Sequence, residues 1–192
     1  MLHAHHAEFM LDKPMLQGLT MPIHGLDHML VTIAVGLIAA QLGGRALWAL
    51  PGIFTASILG GGILNLLGVP VPLVEWAILA SIAVCGGLLA WGSRLSLLLT
   101  GGVIAFFALC HGHALIANDG FVHNLPVFIV GCLLSALCLQ GVGLGLGLGL
   151  KRLGNAQVYR YSGFAVMALA VVVGFFPSIN DFMINIIESA GH

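Results

Sequence analysis

Long apolar stretches alternate along the chain with short polar breaks. Six stretches are long enough to cross hydrocarbon as helices, which takes about 20 residues. They run roughly over 26–42, 47–68, 73–92, 95–117, 125–150 and 160–176. None shows the strict apolar–polar alternation of a membrane-barrel strand. No domain-sized polar segment separates two of them. The pattern predicts an all-α membrane protein, a bundle of six transmembrane helices over 21–176. A polar, histidine-containing segment precedes it at 1–20, and a tail follows at 177–192. In that tail Phe182, Ile186 and Ile187 suit a short helix lying along the interface, or the tail is disordered.

Composition sharpens this picture. Of 192 residues, 59% are hydrophobic and 7% charged. Soluble domains carry about 25% charged residues, so lipid is the expected solvent. A net charge of −1 gives no electrostatic footing for nucleic acid. The four cysteines, Cys85, Cys110, Cys132 and Cys138, all lie in apolar stretches and form no CxxC pair. They read as small buried hydrophobes.

The basic residues set an expected orientation. With six spans, Arg45, Arg94, Lys151, Arg152 and Arg160 all fall on one side, and Lys13 stands on the other. The positive-inside rule makes the crowded side cytoplasmic. Both termini are then expected on the non-cytoplasmic side of a bacterial inner (plasma) membrane. Glycine is abundant, with 27 residues, and is concentrated at 60–62 and in GVGLGLGLGL at 141–150. Small residues let helix backbones approach closely in lipid. Alternate glycines also weaken a helix, so close packing and a flexible, unwound gate are both open.

The ionisable residues are few and poorly scattered. In MPIHGLDHML, residues 21–30, Asp27 and His28 open the first span. Glu75 opens the third, His111 and His113 close the fourth, and Asp119 and His123 follow. With six spans these positions converge on the outer membrane face. Ionisable groups near lipid are costly and mark function by default. Imidazole with carboxylate suits a borderline divalent metal such as nickel, cobalt, copper or zinc. Carboxylates alone would suit magnesium or calcium better. His24 lies one helical turn from His28 and on the face of Asp27. Adjacent Asp27 and His28 diverge on a regular helix, so one ligates and the other orients it. His111 and His113 diverge likewise, so either the helix unwinds around Gly112 or one of them ligates. Near the N-terminus, His3, His5 and His6 either collect metal at the surface or are incidental. Inside the spans, Asn65, Ser135 and Gln140 offer polar stations along a path, or interhelical hydrogen bonds. No HExxH or GxSxG pattern occurs, and the chain is not expected to be an enzyme. Heme ligation would need histidine pairs deep in the bilayer, and these lie near one edge.

Four segments carry a family likeness: PIHGLDHMLVTIAVGLIAAQLGGRALWALPGIF at 22–54, PLVEWAILASIAVCGG at 72–87, FALCHGHA at 107–114, and YRYSGFAVMALAVVVG at 159–174. Over about 17–176 the chain resembles the HupE/UreJ family of hydrogenase and urease accessory membrane proteins. The resemblance implies a nickel or cobalt permease that supplies metal for metalloenzyme maturation without an ATPase domain. The family's HPxxGxDH motif falls on Pro22, Gly25, Asp27 and His28. Its leading histidine is replaced by Met21, with His24 as a stand-in ligand. Its HGHAHG-like motif gives His111 and His113, with Leu115 in place of the third histidine. A further family histidine falls near Cys138. The expected metal residues are therefore Asp27, His28, His111, His113, Glu75 and His24. The expected function is passive transport of a divalent transition metal ion, nickel first. The alternative is a non-transporting membrane subunit with a structural metal site in a larger assembly. The expected partners are the lipid bilayer, the metal ion, and either a second copy of the chain or a membrane partner subunit.

Overall fold

The computed structural model describes residues 13–91, 96–115, 124–152 and 156–175. These residues form seven helices and no strand: α1 (Pro14–His24), α2 (Leu26–Leu42), α3 (Ala46–Leu66), α4 (Val74–Trp91), α5 (Leu97–Leu115), α6 (Leu125–Arg152) and α7 (Ala156–Phe175). Each of the six apolar stretches folds as one of α2 to α7. The addition is α1, which begins at Pro14 in the segment expected to be merely polar. Proline suits a first helical turn because its missing N–H would be unpaired there anyway.

By length and composition α3, α4, α5 and α6 can each cross a membrane. A fifth crossing arises if α1 and α2 count as one span, bent by 78° at Gly25. The chain is a multi-pass membrane protein on this ground. Aromatic side chains mark the ends of the crossings. Trp76 and Trp91 lie near the two ends of α4, both exposed, about 22 Å apart along the axis. Trp48 is exposed in the first turn of α3 and Tyr161 in the second turn of α7. Such amphipathic rings favour the lipid–water interface.

Helices in lipid gain little from hydrophobic burial against one another and rely on close packing. Four seams here are built from glycines that face each other. A Cβ on Gly61 of α3 would strike the Leu109 carbonyl of α5, and one on Gly112 of α5 would strike the Ile58 carbonyl of α3. Gly36 of α2 and Gly143 of α6 are reciprocal in the same way, through the carbonyls of Gln140 and Ile33. Gly86 with Gly163 joins α4 to α7, and Gly18 with Gly131 joins α1 to α6. Around these seams α2 forms the centre, with Val31, Val35, Ile38 and Ala39 buried. It packs on α3, α4 and α6.

The glycine-rich stretch of α6 is therefore a packing device. The helix runs unbroken to Arg152. Gly143 and Gly147 press on α2, while Gly141, Gly145 and Gly149 face open space. The unwound gate is not seen. Cys85, Cys110 and Cys132 are buried as expected, whereas Cys138 is exposed; all four are free thiols.

The bundle has two chemically different ends. At one, Lys151 Nζ lies 3.1 Å from where a Cβ on Gly43 would stand. This brings the basic end of α6 to the α2–α3 turn, beside Arg45. That turn needs glycine, since Gly43 and Gly44 have φ of 69° and 55°. At the other end α2 and α4 begin and α5 finishes, which brings Asp27, His28 and His111 together.

Candidate metal site

The site begins with a local constraint at Gly25. Its backbone is extended, which separates α1 from α2. A Cβ there would lie 2.6 Å from Asp27 Oδ1 and 3.3 Å from His28 Nδ1. The glycine of GLDH thus leaves room for the two polar side chains that follow it. Asp27 sits in the first turn of α2, where a carboxylate complements the helix dipole. Its Oδ1 lies 3.3 Å from His28 Nδ1. The other His28 nitrogen, Nε2, faces the carbonyl oxygen of His111 at 3.4 Å. Both ring nitrogens of His28 therefore face oxygen acceptors. The imidazoles of His28 and His111 meet edge to face, with centroids 4.4 Å apart.

His111 is 1% exposed, and its hydrogen bonds identify its lone pair. The Ser81 hydroxyl has one proton, which it donates to the Ile78 carbonyl at 2.5 Å. Ser81 Oγ lies 2.8 Å from His111 Nε2; with its proton directed at Ile78 it accepts there, and Nε2 then carries the ring proton. In a neutral imidazole the lone pair is then on Nδ1. That atom is buried and has no hydrogen-bond partner. A buried imidazole nitrogen with a free lone pair, fixed by a hydroxyl on its far side, is the arrangement of a metal-ligating histidine.

His113 turns elsewhere. The helix stays regular through Gly112 to Leu115, so residues two apart diverge. Asn65 Nδ2 donates to the His113 carbonyl at 2.9 Å and lies 3.5 Å from His113 Nδ1. His113 Nε2 donates to the Val69 carbonyl at 3.0 Å. Both ring nitrogens are engaged in tying the end of α5 to the end of α3. Glu75 is exposed at the start of α4. The His24 side chain, the N-terminal histidines, Asp119, His123 and the C-terminal tail lie outside the described residues. Among the described residues no three His, Cys, Asp or Glu side chains form a group able to hold a metal ion. The structure thus joins Asp27, His28 and His111 in a chain of contacts, and does not wrap all six expected residues around one point.

Two contributors escaped the sequence reading. Ser81 fixes the His111 tautomer, and Thr32 donates to the His28 carbonyl at 2.6 Å from one turn inward. The available signal was a hydroxyl inside an apolar span. Which histidine each would meet depends on helix packing.

Comparison with known proteins shows the family of the chain. The profile of the HupE / UreJ protein family matches residues 1–173. Protein HupE of Rhizobium leguminosarum bv. viciae is 36% identical over 163 residues, which covers 83% of this chain and 84% of that protein. No solved structure matches the chain.

Proposed function

Because this chain belongs to the HupE/UreJ family, we propose that it is a passive permease for a divalent transition metal ion, with nickel the first candidate. Cobalt, copper and zinc fit the same donor chemistry. In this reading six helices cross a bacterial inner membrane, the termini and the Asp27–His28–His111 cluster face outward, and the ion serves metalloenzyme maturation. The observation that carries the proposal is His111 Nδ1, buried without a hydrogen-bond partner beside His28 at the polar end of the bundle.

The donor set suits the ion. Neutral imidazole binds borderline divalent metals well, and a carboxylate next to a ligating histidine raises its basicity. His111 Nδ1 would hold the ion, joined by His28 Nε2 once it turns from the His111 carbonyl, and Asp27 would orient His28 through Nδ1 and offset the charge. The ion exchanges part of its water shell for these groups at the mouth and then moves inward between helices. His113 and Asn65 keep the α3 and α5 ends together, which holds His111 in place.

Uptake of radiolabelled nickel into cells making the chain is the test. His28→Ala and Asp27→Ala are each expected to lower uptake roughly tenfold or more. Uptake unchanged in both variants would end the permease reading. Binding without flux in liposomes would favour the structural-site alternative.

A further inference from the structure

Four buried side-chain atoms among the described residues lack a hydrogen-bond partner: Gln17 Oε1, His111 Nδ1, Gln140 Oε1 and Thr100 Oγ1. Folded proteins rarely leave such groups unpaired, and each one calls for a reason. Inside a bilayer no lipid atom replaces the missing partner. The four lie on three helices, Gln17 on α1, Thr100 and His111 on α5, and Gln140 on α6. His111 belongs to the polar end, Thr100 to the first turn of α5 towards the basic end, and Gln140 lies between them.

Gln140 is 1% exposed and occupies the place where α2, α3 and α6 meet. Its carbonyl abuts Gly36 of α2. Its Nε2 donates to Thr55 Oγ1 of α3 at 3.4 Å. Thr55 is near the middle of α3. The seam of Gly143 against Ile33 sets Gln140 level with 33–36, about 10 Å inward along α2 from His28. A glutamine whose amide nitrogen is tethered and whose amide oxygen is unpaired presents that oxygen as a donor to a cation.

We propose that Gln140 is the second station on the ion's route, its amide oxygen receiving the metal ion released by His111. This rests on the permease reading above and adds a residue to it. A neutral oxygen binds a transition metal more weakly than imidazole does. Weak binding is what a mid-membrane station needs, since conduction requires release as well as capture. Thr55 is a positioning residue that holds the amide by its nitrogen.

The rival explanation is that Gln140 merely ties α6 to α3. The two differ in what Gln140→Leu does. Leucine removes a buried orphan oxygen, so a transport station predicts an unchanged or higher melting temperature together with lost flux. A structural tie predicts a lower melting temperature. The full chain is purified and reconstituted in liposomes, and nickel flux, equilibrium nickel binding and thermal unfolding are measured side by side. Gln140→Leu is expected to cut flux at least about tenfold, with nickel affinity at the mouth within about twofold of wild type. Flux within twofold of wild type, or flux lost together with thermal stability, overturns the inference. Gln140→Glu keeps the shape and the oxygen and guards against a leucine variant that fails to fold. It is expected to bind one further equivalent of nickel and to pass it more slowly. Unchanged stoichiometry with unchanged flux overturns the inference equally. If wild type itself moves no nickel, the permease reading fails; if wild type and Gln140→Leu move it alike, only the station fails.

Discussion

The imidazole of His28 stands edge-on to that of His111, with planes at 89° and centroids 4.4 Å apart. The two residues are 83 apart in sequence and lie on different helices. Their meeting makes the first turn of α2 and the last turns of α5 parts of one site, and it separates the roles of the two histidines in HGHA.

His111 and His113 should fail differently when replaced. His111→Ala removes the free lone pair and is expected to abolish nickel binding while the protein still folds. His113→Ala removes the tie to Asn65 and Val69 and is expected to lower stability by about 1–2 kcal/mol, with binding partly kept. Isothermal titration and thermal melts on both variants check this. Equal loss of binding with no loss of stability would contradict the division.

Ser81 fixes the His111 tautomer. Ser81→Ala leaves Nε2–H unpaired and is expected to weaken nickel binding about 10–100-fold, as loss of an orienting partner does. Ser81→Thr, which keeps the hydroxyl, is expected to lose less. Competition against a metallochromic dye gives both affinities.

The glycine seams give a paired control inside one tripeptide. Gly61→Val drives a side chain into the Leu109 carbonyl and is expected to destabilise the protein by about 1–3 kcal/mol or more. At Gly60 nothing lies within 4 Å, and Gly60→Val is expected to be tolerated. Folded yield in detergent and melting temperature distinguish them.

Protons compete with the ion, because imidazole must be deprotonated to ligate. A proton and a metal ion cannot share one imidazole lone pair, so more protons in solution mean weaker binding. Uptake is expected to fall on acidification from about pH 7.5 to about pH 5.5. Flux measured at both values under the same membrane potential provides the check, and flux that rises at the lower value contradicts the mechanism.

Cys138 is exposed whereas Cys85, Cys110 and Cys132 are buried. Cys138 faces lipid in the middle of α6, so a membrane-impermeant maleimide is expected to leave the folded protein in liposomes unlabelled and to add four labels after denaturation. Intact mass measures both.

The sequence by itself determined which stretches become helices. Apolar runs of spanning length must satisfy their own backbone hydrogen bonds in lipid, and α2 to α7 follow the six runs closely. It also determined that Asp27, His28 and His111 belong to one end, because alternating spans send every second break to the same side. Tertiary structure decided the rest. Whether a glycine packs or faces outward is set by the neighbouring helix, which is why Gly143 is buried and Gly145 is not. Which nitrogen of His111 is free depends on Ser81, a residue from another helix. His113 shares a motif with His111 yet points to Asn65, because residues two apart on a regular helix face different neighbours. Local pattern fixes helix and depth; rotation about the helix axis, and hence the partners of each side chain, emerges only when the helices pack.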